Sequence, residues 1–156
     1  SRVTDDNAYT IVITGYPEQF HRIHRLVHFA SLQQGIDERE ADVIERAVAE
    51  ACHNALFHEP ADEEHPSFEL EMTLSDTAIK CKVRNRGMEF NFDDVEPFSI
   101  EQDFMNYRRG GLGIPIMKRL MDEVRYERTD DNLNVVTLIK HITVNPNKGA
   151  EKENEY

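Results

Sequence analysis

The sequence predicts an α/β two-layer sandwich, with helices packed on one face of a mixed sheet. Three observations predict it. Runs rich in β-branched residues occur near the start, in a central hairpin and near the end. Two stretches with apolar residues at helical spacing separate the first strand from the hairpin. A third, shorter one separates the hairpin from the last two strands.

Residues Tyr9 to Thr14 read Tyr-Thr-Ile-Val-Ile-Thr, a strand by composition. Gly15 and Pro17 punctuate the chain, and proline suits a first helical turn. From Glu18 to Gln34 apolar residues recur at Phe20, Ile23, Val27 and Ala30, and Gly35 closes the stripe. Asp37 is the N-cap of the next helix, with Glu40 three residues on in a capping-box arrangement. That helix runs to His58, with Ile44, Ala47, Val48, Ala51 and Ala55 facing inward. Pro60 to Pro66 reads as a polar, acidic turn.

Strands Ser67–Leu74 and Thr77–Arg84 follow, joined by a tight Ser75-Asp76 connection. From Asn85 to Gly111 no period is sustained, and Phe90, Phe92, Pro97, Phe98, Phe104 and Tyr107 fall in this stretch. A loop this long in a compact domain is usually functional or mobile. As a lid it would hinge at Gly110 and Gly111. Helix Ile114–Asp122, strand Glu123–Arg128, a turn at Asp130-Asp131-Asn132 and strand Leu133–Ile142 complete one domain, residues 1–144. Residues 145–156 form a polar tail expected to fray.

At 156 residues the chain is long enough for one hydrophobic core. Its 18 Lys and Arg against 30 Asp and Glu give a net charge of −12, which opposes direct nucleic acid binding. Nothing in it reads as a membrane span. Cys52 and Cys81 lack disulfide-framework spacing, which fits a reduced, cytoplasmic setting. Ser1 in place of methionine suggests a processed form or a piece of a longer protein.

Two segments carry the chemistry. Glu50 and Asn54 lie four residues apart on a helix, so they project about 40° from one another. Ala47, Ala51 and Ala55 flank them and allow close approach. Asparagine is a poor helix-interior residue, so its presence there suggests a task. Its amide oxygen could ligate Mg²⁺, and Glu50 could accept a proton from an attacking hydroxyl. The second segment, Arg109-Gly110-Gly111-Leu112-Gly113, ends where a helix begins, and backbone N–H groups there can cradle phosphate. Arg108 and Arg109 just before the glycines read as solvated side chains or, beside a phosphate site, as groups that could neutralise γ-phosphate charge. Taken singly, the pair is a solvated helix face and the run a flexible loop; together they point to ATP chemistry.

The helix carrying His21, His24 and His28 also holds Arg22 and Arg25, a basic patch on an acidic chain. One helix cannot readily supply three tetrahedral metal ligands, so the patch reads as a docking surface for an acidic partner or an ordinary solvated face.

The run Glu50-Ala51-Cys52-His53-Asn54-Ala55-Leu56-Phe57-His58 has the form E-A-x-x-N-A-x-x-H in full. Through it, and through Gly111-Leu112-Gly113 followed by Leu120-Met121-Asp122-Glu123-Val124, the chain resembles the anti-sigma factor serine-protein kinases. The resemblance covers roughly Tyr9 to His141. It implies the Bergerat, histidine-kinase-like ATPase fold, Mg-ATP, and phosphorylation of a small anti-sigma factor antagonist. The implied protein partners are that antagonist and a sigma factor, with a homodimer as a further expectation. It also implies Glu50 as general base, Asn54 as Mg²⁺ ligand, Asn85 and Gly87 at adenine, and Arg109, Gly110, Gly111, Leu112 and Gly113 at the phosphates.

The resemblance departs at one box. Where the family has D-x-G-x-G, this chain has Asn85-Arg86-Gly87-Met88-Glu89. An asparagine oxygen still accepts a hydrogen bond, but losing the charge removes about 1 kcal/mol and weakens ATP several-fold. Glu89 puts a bulky anion where the family has its second glycine. The alternative reading is therefore a non-catalytic partner-binding module on the same fold, with ATP binding weakened or lost. A histidine-kinase catalytic domain is the third.

Overall fold

Side-chain alternation decides which face of the sheet the helices cover. The computed structural model describes residues 8–57, 66–89 and 113–143. Strand β1 is Tyr9–Gly15; a 3-10 turn, Pro17–Gln19, leads into helix α1, Phe20–Gln33. Helix α2 is Glu38–Phe57, and the hairpin strands are β2, Phe68–Leu74, and β3, Ala78–Arg86. Helix α3, Gly113–Leu120, precedes β4, Glu123–Arg128, and β5, Leu133–His141. On β2 every second residue, from Phe68 through Leu70 and Met72 to Leu74, is buried, and Ile79, Cys81 and Val83 do the same on β3. The helices lie on these residues through Val27 of α1, Ile44 and Val48 of α2 and Met117 of α3. On β2 and β3, Arg84 instead bridges Glu69 at 3.1 Å and Glu71 at 3.4 Å.

The two-layer arrangement is the expected one, but the sheet is antiparallel rather than mixed. Its order is β1-β2-β3-β5-β4, and all four pairings are antiparallel. Strands β3 and β4 do run in the same direction, as strands on either side of a helix often do. β5 inserts between them, so the parallel pair never forms.

Local chemistry sets the boundaries. Gly35 ends α1 in a left-handed conformation, φ 85°, and its N–H donates to Leu32 at 3.0 Å. Asp37 caps α2, with its Oδ1 accepting the Glu40 N–H at 2.8 Å. α3 stops two residues earlier than expected because the Asp122 N–H donates to Ile139 O at 2.9 Å, joining the chain to the sheet. β3 runs two residues longer than expected, through Asn85 and Arg86, because β5 continues the ladder to Leu133. The expected turn over residues 60–65, His58, the loop from residue 90 to 112 and the tail after 143 lie outside the described residues.

Both thiols are buried, Cys52 on α2 and Cys81 on β3. Burial raises the Cys52 thiol pKa, and pushes that of Cys81 up to about 12.

Along α1, His24 and His28 have opposite surroundings. The Phe20 ring packs on His24 at 4.6 Å and meets His53 of α2 edge-on at 6.2 Å. Burial lowers the His24 pKa, opposed by the charges of Glu45 and Glu50 and assisted by His21. For His28, burial lowers the pKa too, but the hydrogen bond to Glu38 and the charges of Glu45 and Glu38 outweigh it, so the net shift is upward.

Two outcomes are expected. A methyl group at Gly15 would fall inside van der Waals distance of the buried Phe68 ring, its register partner. Gly15→Ala should therefore destabilise the fold by about 1–3 kcal/mol in urea unfolding. In protein freed of metal ions, NMR titration should place the His28 pKa above that of His24. A raised pKa means that His28 stabilises the fold below its unfolded pKa of about 6.5 and that this is lost as pH rises through its folded pKa. A lowered one means that His24 removes stability as pH falls below the same value. The reverse order of the two rings would show that the α1–α2 charges are misassigned.

Candidate functional site

The candidate site is built where the C-terminal half of α2 meets the end of β3. Small residues make that approach close: Ala47, Ala51 and Ala55 are all buried, and α2 packs against both α3 and β3. Glu50 is half-buried on α2, where its charge reaches His24 of α1. One turn further on, Asn54 is 7% exposed. Among the described residues no hydrogen-bond partner serves its amide.

Asn85 is 4% exposed and its Nδ2 donates to Ala55 O at 3.1 Å. The Asn85 side chain therefore ties the C-terminal part of α2 to the sheet and brings the residue after Asn54 against β3. With Nδ2 so engaged, Oδ1 is the end of the amide that can still accept. An aspartate could not make this bond, because an ionised carboxylate only accepts.

The segment after Asn85 is held from the other side. Asn134, 0% exposed, stands opposite Asn85 in the β3–β5 register. Its Nδ2 donates to Met88 O at 2.8 Å. Its Oδ1 accepts from Tyr126 OH at 2.6 Å and from Arg128 Nη1 at 2.9 Å. Arg128 Nη1 also donates to Gly87 O at 2.9 Å. The carbonyls of Gly87 and Met88 are thus fixed by the β4–β5 hairpin, while the Met88 and Glu89 side chains are exposed. Glu89 therefore does not fill the space behind the loop.

Gly113 is the first residue of α3 and Pro115 sits in its first turn, as expected. Lys140 Nζ donates to Leu120 O at 3.2 Å at the other end. Arg109, Gly110, Gly111 and Leu112 lie outside the described residues. The structure thus ties Asn85, two residues before Gly87, to the residue after Asn54, while Gly113 opens α3, which packs on the same helix α2. Sequence reading missed Tyr126, Arg128 and Asn134. The available signal was an asparagine at an inward position of an otherwise apolar strand.

A helical layer packed on one face of a five-stranded antiparallel sheet fits an ATPase-type domain. The chain belongs to the histidine kinase-like ATPase domain family, which matches residues 13–140. It is 26% identical over 119 residues to the serine-protein kinase RsbW of Bacillus subtilis (strain 168), covering 74% of each chain. It is 29% identical over 128 residues to the anti-sigma F factor of Geobacillus thermodenitrificans (strain NG80-2), covering 80% of this chain and 84% of that one. Among solved structures, the SiaB-SiaC complex from Pseudomonas aeruginosa contains a chain of the same fold. The match has TM-score 0.63 and 13% identity, covering 83% of this chain and 88% of that one.

Asn85→Asp should lower stability by about 1–3 kcal/mol in urea unfolding, because it sets a carboxylate against the Ala55 carbonyl. Asn85→Ser, which keeps a donor, should lose less. If aspartate proved neutral, the helix-end bond would not be what holds α2 to β3.

Proposed function

We propose that the chain is an anti-sigma regulatory factor with serine/threonine-protein kinase activity. It would phosphorylate a small antagonist protein with Mg-ATP in a partner-switching system that controls a sigma factor in the cytoplasm. The observation that carries this reading is the half-buried Glu50 one turn before Asn54, whose buried amide has no partner among the described residues. The family match and the names of the relatives support it at the level of the fold and the class of regulator. No helix among the described residues is long and apolar enough to cross a membrane.

In this reading Glu50 accepts the proton of the attacking serine or threonine hydroxyl. The new O–P bond forms to the γ-phosphorus as the bond to the ADP oxygen breaks. Asn54 would hold Mg²⁺ through its amide oxygen, the hard donor that ion takes. The ion would supply charge neutralisation at the phosphates. Asn85 Oδ1 accepts from the adenine amino group, and the Gly87 backbone, fixed by Arg128, borders the base. Gly113 stands at the N-terminus of α3, which favours phosphate, with Arg109, Gly110, Gly111 and Leu112 leading into it.

A second reading, a partner-binding module with little or no ATP affinity, is favoured by the neutral Asn85 and by Glu89 two residues after Gly87. Calorimetric titration with ATP, with and without Mg²⁺, separates the two. The kinase reading expects micromolar, Mg-dependent binding that Asn54→Ala removes. It also expects Glu50→Gln to cut phosphoryl transfer by about 10²–10⁴-fold with ATP affinity nearly unchanged. Absence of binding at millimolar ATP would sink the kinase reading and leave the binding module.

A further inference from the structure

Away from the nucleotide region, at the opposite end of the α1–α2 contact, a second group of ionisable side chains converges. His28 of α1 faces three carboxylates from the N-terminal part of α2. Its Nε2 lies 2.9 Å from Glu38 Oε2. Its Nδ1 lies 2.8 Å from Glu45 Oε2 and 3.3 Å from Asp42 Oδ1. We infer that His28 Nδ1, Asp42 and Glu45 form a binding site for a divalent transition-metal ion of the zinc type, clamping α1 to α2.

Three observations carry the inference. The first is spacing. Donors about 2.0–2.1 Å from one ion stand about 2.9 Å apart at octahedral angles and 3.4 Å at tetrahedral ones. The 2.8 and 3.3 Å separations from Nδ1 fall close to these values, and the three donor atoms lie within 4.8 Å of one another.

The second is an orphaned atom. His28 Nδ1 is buried yet has no hydrogen-bond partner, although a carboxylate oxygen stands 2.8 Å away. When Nε2 donates to Glu38, the bare Nδ1 lone pair faces two anionic oxygens, and a cation between them removes the conflict.

The third is the outer shell. Metal-bound histidines usually donate their other ring N–H to a carboxylate, which fixes the tautomer, and Glu38 occupies that place. One imidazole nitrogen with two carboxylates selects zinc-like ions over Mg²⁺ or Ca²⁺, which take oxygen alone. Three protein ligands leave a position open to water, and His28 and Glu45 line an open groove of about 700 Å³ through which an ion can enter. A single helix could not supply these ligands. Two helices can.

The test is calorimetric titration of the full chain with zinc chloride in excess Mg²⁺, without nucleotide, so its outcome is independent of the kinase reading. One zinc per chain is expected, with His28→Gln and Asp42→Asn each weakening binding by at least about tenfold. Asp42 is exposed, so Asp42→Asn keeps the fold and decides the question even if His28→Gln misfolds. Absence of zinc binding at submillimolar concentration would overturn the proposal. So would wild-type affinity in a folded form of either variant, because the ion would then sit on other histidines such as His21 or His53.

Discussion

The candidate site depends on one hydrogen bond between a strand-end side chain and a helix-end carbonyl. Ala55 O of α2 lies in the buried interface with the sheet. The Asn85 amide donates to it and sets helix and strand 3.1 Å apart across donor and acceptor. Asn54 is the neighbour of Ala55 on the same helix. Directly across the ladder, Asn134 solves the matching problem for the loop by serving both the Met88 carbonyl and two donors from β4. Two adjacent asparagines in an apolar layer thus organise the backbone on both sides of β3.

This arrangement changes how the departure at position 85 reads. Compared with an aspartate in the family's box, asparagine looks like a loss of charge. In the folded chain it is also a gain of a donor, used on the helix end, while its oxygen remains an acceptor. The exposed Glu89 side chain and the anchored Gly87 and Met88 carbonyls give the segment Gly87 to Glu89 a defined place beside β5.

Much of the fold was legible because its signals are local. The β-branched runs, the Asp37 cap, Gly35 and the helical stripes each report on a few neighbouring residues, and each element lies within two residues of its expected limits. The Glu50–Asn54 pair was legible for the same reason, since helical spacing alone puts both on one face. What depended on long-range pairing was not. No local feature states that β5 enters between β3 and β4, and that insertion makes the sheet antiparallel and puts Asn134 opposite Asn85. The Tyr126, Arg128 and Asn134 network needs that register before its members meet. The histidine stripe on α1 was visible, but its carboxylate partners belong to α2, and only the packing of the two helices brings them together.

The two buried thiols occupy opposite sides of the α2–β3 contact, one on the helix and one on the strand. With both pKa values raised, neither carries appreciable thiolate in the closed protein. Their alkylation must then wait for helix and sheet to part. The chain thus carries an internal clock for that opening, read without any added label, and a ligand that tightens the contact would slow it.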